Sequence, residues 1–203
     1  MITTPCSFDH DRRRLQNVFN KLAVPNHPLR AAAFQLRDEI STTWCRQAEA
    51  NRWFAWPSTV APDGFHKLGE LKWRPQGMLS VLGYHVGETL TVNAQVRECI
   101  LEYAFEQHLP PVGDAIYFHE WGKPETARRL QKLANTLASL ARNAKRRRTA
   151  SFERAIHEWE QDLEFLYEKY YAGLFGFGWP ATEPQGPTSV RSDHGGRESL
   201  SFR

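Results

Sequence analysis

The sequence predicts a mainly α-helical domain built on a long antiparallel helical hairpin, with aromatic-rich loops and at most a minor β-hairpin. Three observations predict it. Between Pro124 and Tyr171 two stretches carry apolar side chains at alternating steps of three and four, the rhythm of helices with one buried face. Two further stretches, near 28–51 and 93–108, keep helical spacing. Between these stretches the chain is punctuated by Gly and Pro, which break regular structure.

Taken in order, residues 1–25 are polar, with a basic knot at Arg12, Arg13 and Arg14. Leu15, Val18, Phe19 and Leu22 allow one short helix there, and the expectation is a weakly ordered basic arm. A single helical domain is expected over 26–180. Asn26 and Pro28 look like the cap and first turn of a helix from Pro28 to Asn51, with Leu29, Ala33, Phe34, Leu36, Ile40, Trp44 and Ala48 inward. Residues 53–75 read as a long loop whose Trp53, Phe54, Trp56, Phe65 and Trp73 need cover, so it is expected to wrap across the helices. The minor β-hairpin would pair Lys67–Trp73 with Tyr84–Val86.

Gln76–Leu82 reads as a short helix stopped by a left-handed Gly83, and Tyr84-His85-Val86-Gly87 as a turn. Asn93 caps a helix with Val96, Ile100, Leu101, Ala104 and Phe105 on one side, ended near His108 by Pro110-Pro111. A short apolar helical turn follows at Ala115–Trp121, and Gly122-Lys123-Pro124 opens the hairpin. Its first helix has a seam of Leu130, Leu133, Leu137 and Leu140. The second, with Ser151 as its cap, answers with Phe152, Ala155, Ile156, Trp159, Leu163, Leu166 and Tyr170. Gly173 to Pro180 turns the chain, and 181–203, rich in Pro, Gly, Ser and charge, is expected to be a disordered tail.

A hydrophobic fraction of 41% and a charged fraction of 24% suit an ordinary soluble domain with one core. The net charge of +3 is too small to make the whole molecule a polycation, so an anion-binding surface has to be local. Cys6, Cys45 and Cys99 are odd in number and far apart, without a metal-binding or redox spacing. The start carries no apolar signal segment and no run is long enough to span a bilayer, which points to a cytoplasmic protein.

One set of landmarks goes beyond periodicity. It comprises Gly77-Met78-Leu79, Leu82-Gly83-Tyr84-His85-Val86-Gly87, Trp121-Gly122-Lys123-Pro124 and Arg129-Leu130. It continues with Ala141-Arg142-Asn143-Ala144-Lys145-Arg146-Arg147, Ala155-Ile156, Trp159, Asp162-Leu163, Tyr170-Tyr171 and Phe177-Gly178-Trp179-Pro180. In this order the set resembles a family of uncharacterised bacterial proteins over about two-thirds of the chain. The resemblance implies membership of a family and no particular activity.

The best-localised chemical feature is basic. Arg142, Lys145, Arg146, Arg147 and Arg148 crowd the end of the first hairpin helix, with Asn143 among them and Arg128, Arg129 and Lys132 upstream. Closely spaced cations of this kind neutralise phosphates. Cations in a last helical turn are also favoured by the helix dipole alone, and the acidic residues of the next helix, Glu153, Glu158, Glu160, Asp162, Glu164 and Glu168, offer partners in cis. Trp53, Trp56 and Trp179, beside Pro and Gly, are candidates for a protein-docking patch or a clamp. His119-Glu120 lacks the second His of a metalloprotease, and Glu158, Asp162 and Glu102 read as an outer charged face. No catalytic residue, metal ligand or cofactor motif is assigned. The expected function is that of a non-enzymatic accessory or adaptor module of a bacterial system contacting nucleic acid through the basic helix end. The alternatives are a protein–protein module with an aromatic docking loop and an enzyme assembled around His85 and His119.

Overall fold

The computed structural model describes residues 5–54, 77–88, 92–113, 115–147 and 150–184. Seven α-helices account for most of them: α1 (Pro5–Leu22), α2 (Arg30–Glu49), α3 (Met78–Val81), α4 (Ala94–Glu106), α5 (Ala115–Glu120), α6 (Ala127–Arg147) and α7 (Glu153–Leu166). Two helix pairs, α1 with α2 and α6 with α7, form the body, and α4 lies between them touching α1, α6 and α7. The fold is mainly α, as the periodicity predicts. No described helix is long and apolar enough to cross a membrane.

Residues 5–22, expected as a weakly ordered arm, instead form α1. Phe8, Leu15, Val18, Phe19 and Leu22 fall on one face and are all buried, with Phe19 meeting Tyr103 of α4 edge to face. Arg12 and Arg14 sit within 3.4 Å of Asp9 and Asp11 on the same helix. The arm looked polar because its few apolar residues are spread over four turns at helical spacing. Asn26 does not cap α2: it takes a left-handed turn at φ 61°, and the Leu29 N–H donates to His27 Nδ1 at 3.1 Å.

Asn93 does cap α4, accepting from the Val96 N–H at 2.9 Å. Gly83 ends α3 with φ +93°, and a β-carbon there would come within 2.8 Å of Gln16 Nε2 on α1. The backbone angle favours glycine there, while the Gln16 side chain could move aside. The strand pair is absent where it is open to view, since 84–86 is irregular and 67–73 lies outside the described residues. The one isolated bridge among the described residues joins Phe54 to Val112.

The hairpin is the most extensive helix pairing of the described chain. On α6, Leu130, Leu133 and Leu137 are fully buried with Ala134, Ala138 and Ala141 between them, and on α7 Ala155, Leu163 and Leu166 are buried. Small alanines beside the leucine row let the two helices approach closely. Leu140 departs from this seam at 40% exposure. Ser151 is no cap, because α7 is entered through a 3-10 turn, Ala150–Phe152. After Leu166 the helix widens into a π-turn, Tyr167–Tyr171, which brings the Tyr170 hydroxyl to Glu106 of α4 at 2.6 Å and pairs Lys169 with Glu102.

Beyond the left-handed Gly173 the chain doubles back as a strap. The rings of Tyr167, Tyr171, Phe177 and Trp179 pack on one another at 4.8–6.2 Å. Residues 181–183, expected in the tail, lie against α6 and α7.

Candidate functional site

The members of the basic helix end are used differently. The Arg129 guanidinium is 1% exposed and donates to the carbonyls of Ala104, Gln107, Trp121 and Gly122 at 2.6–3.2 Å. Burial pushes it down to about 10. Arg129 is thus removed from any surface for phosphates. Lys132 pairs with Glu120 at 2.9 Å and lies 6.0 Å from the Trp121 ring centroid.

Arg142 donates to the Ala181 carbonyl and to Ser139. Lys145 reaches Glu160 at 2.8 Å, Glu183 at 2.5 Å and Thr182 Oγ1 at 3.3 Å. These hydrogen bonds raise the Lys145 ammonium above its usual range even though burial opposes the shift. Both residues hold the strap. Arg128, Asn143, Arg146 and Arg147 are exposed, with Arg147 6.0 Å from the Phe152 ring centroid. Arg148 lies outside the described residues.

Of the aromatic candidates, Trp179 is mostly covered, packed on Tyr167, Tyr171 and Phe177 of the strap. Trp53 packs edge-on against Phe118 at 5.5 Å. Trp56 lies outside the described residues.

The carboxylates expected on an outer face turn out to be inside. Asp162 is 2% exposed and accepts from Tyr84 Oη at 2.5 Å and Arg97 Nε at 2.8 Å. Glu158 accepts from the Gly87 N–H at 2.6 Å and from Arg154 Nε at 3.1 Å, with Arg97 3.6 Å away. Arg97 also donates to the Val92 carbonyl at 2.9 Å. Burial pushes the Asp162 carboxyl up, against the pull of Arg97 and Tyr84, and pushes the Tyr84 hydroxyl well up. The network ties Tyr84, Gly87 and Val92 to α4 and α7. It leaves none of its own side-chain polar atoms buried and unpaired. Glu102 stands apart with Lys169.

Arg97 was not anticipated, yet its position signals it: it shares a helical face with Leu101 and Ala104. Asp162 likewise follows Ala155 and precedes Leu166 on the buried side of α7.

A cleft of about 430 Å³ opens between α3, α5, α6 and α7, within the size range of small-ligand pockets. Met78, Leu79, Val86 and the exposed Leu140 form its apolar wall, and Tyr117, Trp121 and Trp159 its aromatic one. The Trp121 and Trp159 indole N–H groups are shielded from solvent and find no acceptor among the described residues. Orphan buried donors of this kind are rare.

His85 lines the cleft and is pushed down by burial, which favours the neutral ring. His119 is exposed and is not part of the lining, so the two histidines do not converge there. Among the described residues no three His, Cys, Asp or Glu side chains group to hold a metal ion.

No family model matches the chain, and no curated protein or solved structure matches it either. The landmark residues have structural roles in the geometry: Tyr84, Gly87 and Asp162 in the buried network, Trp121, Gly122 and Arg129 in the guanidinium clamp.

Proposed function

We propose that the chain is a non-enzymatic contact module that meets a polyanion, nucleic acid foremost, through the outward side of the last turns of α6. The observation that supports this reading is the exposure of Arg146 and Arg147 beside Asn143 at the C-terminal end of a 21-residue helix. Arg142 and Lys145 belong to the same patch. Their present partners are a carbonyl, two hydroxyls and two carboxylates, the acceptor types that phosphate oxygens replace.

The test is fluorescence anisotropy with labelled single-stranded DNA, duplex DNA and RNA across a salt series. Affinity is expected to fall steeply with salt, and Arg146→Ala with Arg147→Ala to lower the slope by about one unit per lost phosphate contact. The parent binding none of the three at low salt, or the double variant keeping the parent slope, overturns the reading.

A second reading, a protein–protein module, is favoured by α5. This helix has no buried residue, and Ile116 is 77% exposed. An apolar partner segment would cover Ile116, and Ile116→Asp would then abolish its binding while leaving the salt series unchanged.

A further inference from the structure

We propose that the cleft between α3, α5, α6 and α7 is a binding site for a small amphipathic organic acid, a compact aromatic or branched apolar body carrying one anionic group. The proposal is independent of the polyanion reading, because the cleft shares none of Asn143, Arg146 or Arg147.

Three observations carry it. The first is shape and lining. The space is of ligand size, and Leu140 supplies apolar surface from a seam position that α7 leaves uncovered, whereas Leu130, Leu133 and Leu137 are sealed. An apolar body in the cleft would bury what the helix pairing does not.

The second is charge. Lys132 is the one permanently charged side chain of the described lining, and no carboxylate is among the lining residues. Glu120 holds the Lys132 ammonium at the rim, 34% exposed, where a ligand anion could share or replace that partner without being repelled from within the cleft. The third is polar capacity beside the charge. The Ser80 hydroxyl both donates and accepts, and the Thr136 hydroxyl, which donates to the Lys132 carbonyl at 2.7 Å, keeps its lone pairs for a ligand donor. Trp121 and Trp159 contribute ring surface to the lining, their indole N–H groups being shielded from solvent. A neutral His85 adds polarity without charge.

The experiment compares two fluorescent probes that differ only by an acid group, 1-anilinonaphthalene-8-sulfonate and N-phenyl-1-naphthylamine. The parent chain is expected to bind the sulfonate about fivefold more tightly than the neutral probe, the most a partly exposed ion pair supplies. Lys132→Met should erase that preference by weakening the sulfonate alone. Leu140→Glu should weaken both probes by more than about tenfold, since it sets a carboxylate in the apolar wall.

Both substitutions are at partly exposed positions, and a thermal unfolding curve for each variant checks that the fold persists. In a competition arm, 3-phenylpropionate should displace the sulfonate probe at about fivefold lower concentration than 3-phenylpropanol. Equal affinity of the parent for both probes, an unchanged preference in Lys132→Met, or displacement by the alcohol at the same concentration as the acid overturns the proposal. Arg146→Ala with Arg147→Ala, which tests the polyanion reading, should leave every probe affinity unchanged.

Discussion

At Asp162 one carboxylate oxygen accepts from both Tyr84 and Arg97, inside a helix pair and out of reach of water. Removing it strands the Arg97 guanidinium, whose remaining carboxylate neighbour is 3.6 Å away. Asp162→Ala should therefore destabilise by about 3–5 kcal/mol, as broken buried pairs do. The pair as a whole is worth less than that, because burial penalises both charges. Leu137→Ala, at a fully buried seam position, should cost about 2–5 kcal/mol through lost contacts and a cavity. Urea unfolding of both variants measures the two costs. They should differ in kind: the Asp162 variant alone should free the 84–88 turn, seen as shifted amide signals at Gly87, whose N–H bonds Glu158 next door. At this scale the sequence was hardest to read. A charged residue on a predicted helix is assigned outward by default, and only its exact step along the face betrays Arg97, Glu158 and Asp162 as inward.

The strap is the element whose hold depends most visibly on charge. Glu160 accepts from Lys145 and from Thr182, and these bonds keep its carboxyl below the usual range although burial alone would raise it. His157 favours the ionised form slightly, and Glu183 and Arg142 complete the charged surroundings. A depressed carboxylate lends stability above its unfolded value and loses it as pH falls through the folded one. A raised ammonium, here Lys145, lends stability below its ordinary range and loses it as pH climbs through the folded value. The strap should hold between these limits and loosen on acidification below the usual carboxylate range. The Trp179 indole signal reports it, and Lys145→Met should make that signal insensitive to the acid step. Elements with strong periodicity, α2, α4, α6 and α7, were legible in the sequence. The strap contact was not, because 181–183 reads as tail by composition and is held by side chains far away in sequence. Nor was α1, whose charged residues hide a regular apolar stripe.

Across the whole molecule, two helix pairs are joined through α4, so the interior is continuous from Phe8 to Leu166. Periodicity located those helices without showing that the first pair belongs to the core, since that depends on packing between segments far apart in the chain. The cleft was equally invisible. Its walls come from four helices, and the one hint in the sequence, a leucine seam longer than its partner needs, reads as packing. The Arg129 guanidinium has a consequence at this scale. Its four carbonyl acceptors come from the end of α4 and from the lead-in to α6, and the Glu125 N–H closes the same junction on the Phe105 carbonyl at 2.9 Å. One side chain should thereby couple the end of α4 and the lead-in to α6 in hydrogen exchange. Amides at Gln107, Glu125 and Leu130 should exchange at one common slow rate set by unfolding of the whole domain. Arg129→Lys, with a single nitrogen in place of a planar fork, should split that rate, so that the connection opens and recloses many times while the helices around it remain closed.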